Sequence, residues 1–132
     1  MSSDDNAPFH IHVYHGADER DRCQALHARL TDLKASGAMP DLLMVGAIRQ
    51  GKAGPHPIPQ FEIHFPKRAL PQILPLIEAS GLRALVHPLT DDDLADHTHL
   101  GYWIGEPVEL DLTTLDPPGV NQGMARFGKA DF

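Results

Sequence analysis

Nine histidines and a single cysteine, Cys23, in a chain of 132 residues point to chemistry run on imidazole nitrogen and carboxylate oxygen. His10 and His12 alternate with apolar residues in Phe9-His10-Ile11-His12-Val13-Tyr14, and Glu62 and His64 do so in Phe61-Glu62-Ile63-His64-Phe65. Residues two apart in an extended chain share a face, so each stretch sets a pair of ligand-type side chains opposite its apolar ones. His87 lies near the end of another apolar run, Arg83 to Leu89. Two histidines and one carboxylate with coordination positions left open make up the donor set of non-haem Fe(II) oxygenases, and with a water they also suit catalytic zinc. The same residues also fit a wet sheet face on which the imidazoles are solvated or paired with Glu62.

Two loops add candidates. His56 in Gly54-Pro55-His56-Pro57 is flanked by prolines that stiffen the backbone, which would fix an imidazole over such a face; an ordinary turn with an exposed histidine has the same local sequence. In Asp91 to His99, Asp91 to Asp93 are suited to capping a short helix. Asp96 next to His97 could set an imidazole tautomer for proton transfer, although adjacent residues seldom face each other. Tyr102 and Trp103 read first as core or interface aromatics, His15 and His27 as surface residues, and Cys23 as core.

The elements that must position these groups follow from periodicity. Phe9 to Tyr14 is a first strand. From Ala17 helical spacing sets in, with Cys23, Leu26, Leu30 and Leu33 on one stripe and Gly37 placed to end the helix. Asp41 to Arg49 has strand length, Gln50 to Gln60 is a Gly/Pro-rich loop, and Phe61 to Phe65 is a third strand. Lys67 to Ser80 carries Leu70, Ile73, Leu74 and Ile77 at helical spacing, with Pro75 expected to bend it. Arg83 to Leu89 is a fourth strand, and Gly101 to Leu112 could add an edge strand or cross to a partner subunit. The order βαββαβ is the ferredoxin-like pattern of an α+β fold, a four-stranded antiparallel sheet with both helices on one face. Its spatial order, fourth-first-third-second, puts His10, His12, Glu62, His64 and His87 on the open face of three neighbouring strands. Opposed side chains there have Cβ atoms about 4.5–5.5 Å apart, near enough for two or three to hold one ion.

Composition bounds the rest. Lys plus Arg number 11 against 18 Asp plus Glu, a net charge of −7, which argues against nucleic acid and anionic membrane surfaces as partners. The lone cysteine excludes an internal disulfide and a CxxC zinc site and fits a reducing, cytoplasmic setting. No stretch has the signature of a secretory signal or a membrane span. Residues 1–8 read as a polar tail, 9–112 as a single domain and 113–132 as a Gly/Pro-rich tail. Phosphate-binding glycine loops, nucleophile elbows, HExxH and dinucleotide fingerprints are absent from the sequence.

From Phe9 to about Leu112 the sequence resembles the DOPA 4,5-dioxygenase family of small extradiol-type dioxygenases. The resemblance is carried by FHIHVY (Phe9 to Tyr14), GPHP (Gly54 to Pro57), FEIHF (Phe61 to Phe65), LVHPLT (Leu85 to Thr90), DHT (Asp96 to Thr98) and WIGEPVELDL (Trp103 to Leu112). It implies a ferredoxin-like homodimer with sheets facing each other and a metal-dependent ring cleavage of a catechol such as DOPA by O2. The metal implied is Fe(II), with zinc possible in the purified protein. The expected ligands are His12, Glu62 and His87, with His10 and His64 as alternates if a strand parity is wrong. His56 and His97 are the expected acid/base groups, and Tyr14 and Trp103 would line the ring pocket. Two other classes fit the same residues: a non-catalytic dimer binding a small aromatic or a metal, and a zinc-dependent hydrolase or isomerase.

Overall fold

The computed structural model describes residues 3–90 and 92–115. Strand β1 (Pro8–Tyr14) leads through a short 3-10 turn into helix α1 (Arg20–Ala35), followed by β2 (Met44–Val45), β3 (Gln60–Pro66), α2 (Leu70–Ser80), β4 (Arg83–Pro88), the one-turn helix α3 (Asp93–Asp96) and β5 (Tyr102–Ile104). The strands form one five-stranded sheet in the order β2-β3-β1-β4-β5. This is the expected ferredoxin-like arrangement, with the C-terminal segment contributing a fifth strand antiparallel to β4 through Leu85↔Trp103.

Apolar parity sets which face each strand buries. Ile11, Val13, Phe61, Ile63, Phe65, Ala84 and Val86 pack with Cys23, Leu26, Leu30, Ile73 and Ile77 of the two helices in the main core. Burying each Leu, Ile or Phe there contributes about 1.5–3 kcal/mol. Helix α2 runs through Pro75 without interruption. The carbonyl that Pro75 cannot bond is that of Pro71 in the first turn, on the exposed side of the helix.

Three expectations need correction. The strand expected over Asp41 to Arg49 is reduced to two residues, because the segment follows β3 only intermittently: Leu43 N–H donates to the His64 carbonyl, Gly46 N–H to Glu62 and Arg49 N–H to Gln60. Short edge strands of this kind resist pairing with other chains. The sheet face expected to be open is covered by the chain itself. His10, His12, Glu62, His64 and His87 are all at most 4% exposed. Tyr14, Leu85, Val108, Ile58, Trp103 and Leu110 make a second apolar cluster, and the loop before β3 is fastened to the segment after β5 by Asp111 N–H donating to the Pro55 carbonyl and by Lys52 paired with Asp111 at 2.6 Å. Finally, His15 is buried, not superficial, its Nδ1 donating to the Gly16 carbonyl. His27 is half-buried and donates from Nε2 to the Gly46 carbonyl. Asp91 and residues 116–132, most of the expected C-terminal tail, lie outside the described residues.

Candidate active site

The site is built from β1 outward. His10 stands opposite His64 of β3 and His87 of β4, while His12 stands opposite Glu62 and Leu85. His56 reaches the same face from the Pro-flanked loop, and His97 follows α3. The rings of His12 and His56 lie 4.0 Å apart between centroids, those of His87 and His97 4.3 Å, and those of His12 and His87 5.1 Å. Ligand atoms come within 4.8 Å of one another in three overlapping sets: His10, His12 and His87; His12, His56 and His97; and His10, Glu62 and His64. The expected pair His12 and His87 is therefore together, with His56 and His97 beside it. Glu62 sits with His10 and His64 instead, although the strand parities are as expected.

Hydrogen bonds assign the tautomers. His12 Nδ1 donates to Gln60 Oε1 at 3.1 Å, His87 Nδ1 to the Pro88 carbonyl at 2.7 Å and His97 Nδ1 to the Asp93 carbonyl at 2.8 Å. These oxygens only accept, so each neutral ring keeps its proton on Nδ1 and has a bare lone pair on Nε2. His12 Nε2 and His87 Nε2 then meet at 3.0 Å. Two facing lone pairs repel, whereas two nitrogens each about 2.1 Å from a shared ion sit about 3 Å apart. An oxygen acceptor on the far nitrogen is also the usual partner of a metal-bound histidine. The residues present thus fit a divalent metal.

His56 differs. Its Nδ1 is bonded at 2.7 Å to the Tyr14 hydroxyl, which can donate or accept, so its tautomer is not fixed. Burial keeps the Tyr14 phenol protonated by raising its pKa. Burial, then repulsion from His97 and His87, pushes the His56 pKa down to about 2. Burial also holds His12 well below the usual range, with His56 and His97 adding to it and the Gln60 bond opposing. His87 is lowered by burial and then by His97 and His12, and His10 by burial and then by His87 and His64. All four rings are neutral, as ligands must be.

Asp96 does not face His97. It accepts from Thr90 N–H at 2.9 Å and Thr90 Oγ1–H at 2.6 Å, joining the end of β4 to α3, while Asp92 caps α3 by accepting from Ala95 N–H. His97 is held by Asp93, through the carbonyl bond above and the carboxylate at 3.5 Å. Gly101 allows this packing: a Cβ there would lie 2.7 Å from the Asp96 carbonyl and 3.3 Å from His87 Cβ. Trp103 is half-buried with its ring 5.6 Å from that of Tyr14, and a cleft of about 400 Å³ opens beside it, lined by His97, Thr98, Trp103, Val108 and Leu110 among others. His99 is exposed. Gln60 and Asp93 are the anchors the sequence reading missed. Gln60 has the parity of Glu62 and His64 and would have been found had the strand been started one residue earlier; Asp93 gave no signal beyond its capping position.

The sequence profile of the Dopa 4,5-dioxygenase family matches residues 9–114. The chain is 29% identical over 112 residues to a DOPA 4,5-dioxygenase of Amanita muscaria, covering 81% of this chain and 49% of that protein. It is 31% identical over 117 residues to a 21.2 kDa protein of Botryotinia fuckeliana, covering 81% and 62%. The chain therefore spans about half to three-fifths of the length of these relatives. A crystal structure from Nostoc punctiforme, described as that of "a putative dioxygenase", superposes with a TM-score of 0.68 at 28% identity, covering 86% of this chain and 95% of that one. The motifs that the sheet assembles into one buried imidazole cluster lie within the matched span, and the chain belongs to the Dopa 4,5-dioxygenase family.

Proposed function

We propose that the protein is a metal-dependent extradiol dioxygenase that opens the ring of a catechol, with His12, His87 and His97 holding Fe(II). The observation that carries the ligand assignment is the meeting of His12 Nε2 and His87 Nε2 at 3.0 Å with each Nδ1 tied to an oxygen. His97, tied in the same way through Asp93, supplies the third nitrogen. This departs from the expected set by replacing Glu62, which lies with His10 and His64. When bound, the metal supplies a meeting point for catecholate and O2 and a path for electron density between them.

The chain's own residues do the rest. The cleft beside His97 and Trp103 admits a single aromatic ring and orients it. His56, held neutral by burial, passes a proton on and does not store it: it takes one from a catechol hydroxyl at one ring nitrogen as the other hands one towards the Tyr14 hydroxyl through the 2.7 Å bond, and the reverse transfer later returns one to oxygen. The second apolar cluster, Tyr14, Leu85, Val108, Ile58, Trp103 and Leu110, keeps water away from the reacting atoms. The homodimer expected of the family belongs to this reading, but not through direct contact of open sheets, because this chain's own segments cover the sheet face; sedimentation at two concentrations reads it. The test of the activity is anaerobic reconstitution with Fe(II), then a catechol panel followed by oxygen uptake and by the yellow absorbance of a ring-opened product. Uptake with at least one catechol is expected. Undiminished metal binding without turnover of any catechol would leave the non-catalytic binding reading in its place.

A further inference from the structure

The buried face holds a second group of ligand-type side chains that the proposed reaction does not use. His10, Glu62 and His64 come from the adjacent strands β1 and β3, are at most 4% exposed, and have ligand atoms within 4.8 Å of one another. The Glu62 carboxylate lies 3.4 Å from His64 Nε2 and 3.8 Å from His10 Nδ1, and the two imidazole rings stack with centroids 3.5 Å apart. The register pairs His10 with His64 and His12 with Glu62, so the strand ladder itself fixes the group.

We propose that His10, Glu62 and His64 form a second divalent transition-metal site, separate from the one at His12, His87 and His97. Three observations carry it. The donors are two nitrogens and one carboxylate oxygen, a set that holds first-row ions while leaving positions open. His10 is bonded to nothing that would fix it for another purpose: its Nε2 is buried without a hydrogen-bond partner among the described residues, and its Nδ1 approaches the carboxylate at more than hydrogen-bond distance. The backbone also makes room for the carboxylate, since Gly46 donates to the Glu62 carbonyl at 2.8 Å and a Cβ at Gly46 would lie 3.2 Å from Glu62 Cγ.

The test is stoichiometry, and it does not depend on whether the protein turns over a catechol. The metal-free chain is titrated with Zn(II) by calorimetry and by equilibrium dialysis, in the wild type and in Glu62→Gln, His64→Gln and His87→Ala variants whose folding is checked by circular dichroism. Two equivalents are expected for the wild type. Glu62→Gln and His64→Gln should each weaken one equivalent at least about tenfold and leave the other unchanged, and His87→Ala should weaken the complementary one. A wild type that saturates at one equivalent overturns the second site, as does a Glu62→Gln protein that binds both equivalents with wild-type affinity. Gly46→Ala, which presses on Glu62 without removing a ligand, should weaken the same equivalent as Glu62→Gln; weakening of the other one counts against the assignment.

Discussion

Tyr14 separates the role of His56 from those of the other imidazoles. A phenol hydroxyl on Nδ1 permits either tautomer, while the oxygens facing His12, His87 and His97 permit one. Tyr14→Phe should therefore lower kcat on the order of tenfold, less than the 10²–10⁴ that a proton-transfer group itself supplies, with bound iron unchanged by elemental analysis. Loss of metal in that variant would move Tyr14 from proton relay to metal support. His12→Ala should weaken metal binding by more than about 100-fold, beyond the loss typical of a group that only supports a ligand, read as metal retained after dialysis. Types and spacing made His10, His12, Glu62, His64 and His87 legible in the sequence as one polar face. The division of that face into two groups was not, because it depends on where each ring nitrogen finds an acceptor, and those acceptors are backbone carbonyls and the strand-end Gln60. His15 was misread for a related reason: nothing in its neighbours foretold that the turn after β1 would be covered.

At the scale of elements, strict alternation in β1 and β3 and the apolar run of β4 fixed both the faces and the strand order. Where alternation was lacking the reading failed: the apolar stretch around β2 is interrupted at Gly46 and pairs for only two residues. The loop before β3 and the segment after β5 carry no periodicity, so their closure over the histidines could not be foreseen. His97 follows a separate tie, between β4 and α3 through Thr90 and Asp96. Burial raises the Asp96 pKa, while the Thr90 bonds oppose it. Asp96→Ala should loosen His97, lowering metal affinity about 10–100-fold while the helix-side core, and hence helical content by circular dichroism, stays as it was. Gly101→Ala puts a methyl group against the Asp96 carbonyl and should cost about 1–3 kcal/mol in chemical denaturation. Wild-type stability in that variant would mean that Gly101 does not pack against the end of α3 as described.

Across the whole molecule, the buried imidazoles couple stability to pH. His10, His12, His56 and His87 all have folded pKa values lowered by burial, so unfolding at acid pH lets each take up a proton. The unfolded state then binds more protons, and stability falls as pH drops below about 6.5, the ordinary histidine value. With four such groups the slope approaches about 5 kcal/mol per pH unit well below that point. Against a total of about 5–15 kcal/mol, the metal-free protein should unfold near about pH 5, and bound Zn(II) should shift that midpoint to lower pH by stabilising the neutral ligands. Constant stability from pH 7 to 5 would show that the imidazoles are not held neutral together. The central claim, that this cluster delivers O2 to a catechol ring, is tested most directly by isotope. The Fe(II)-loaded protein is given a substrate catechol under labelled O2 in ordinary water, and the ring-opened product is weighed by mass spectrometry as soon as it forms. The account predicts both labelled oxygen atoms in the product; a product that carries oxygen from water alone would contradict it.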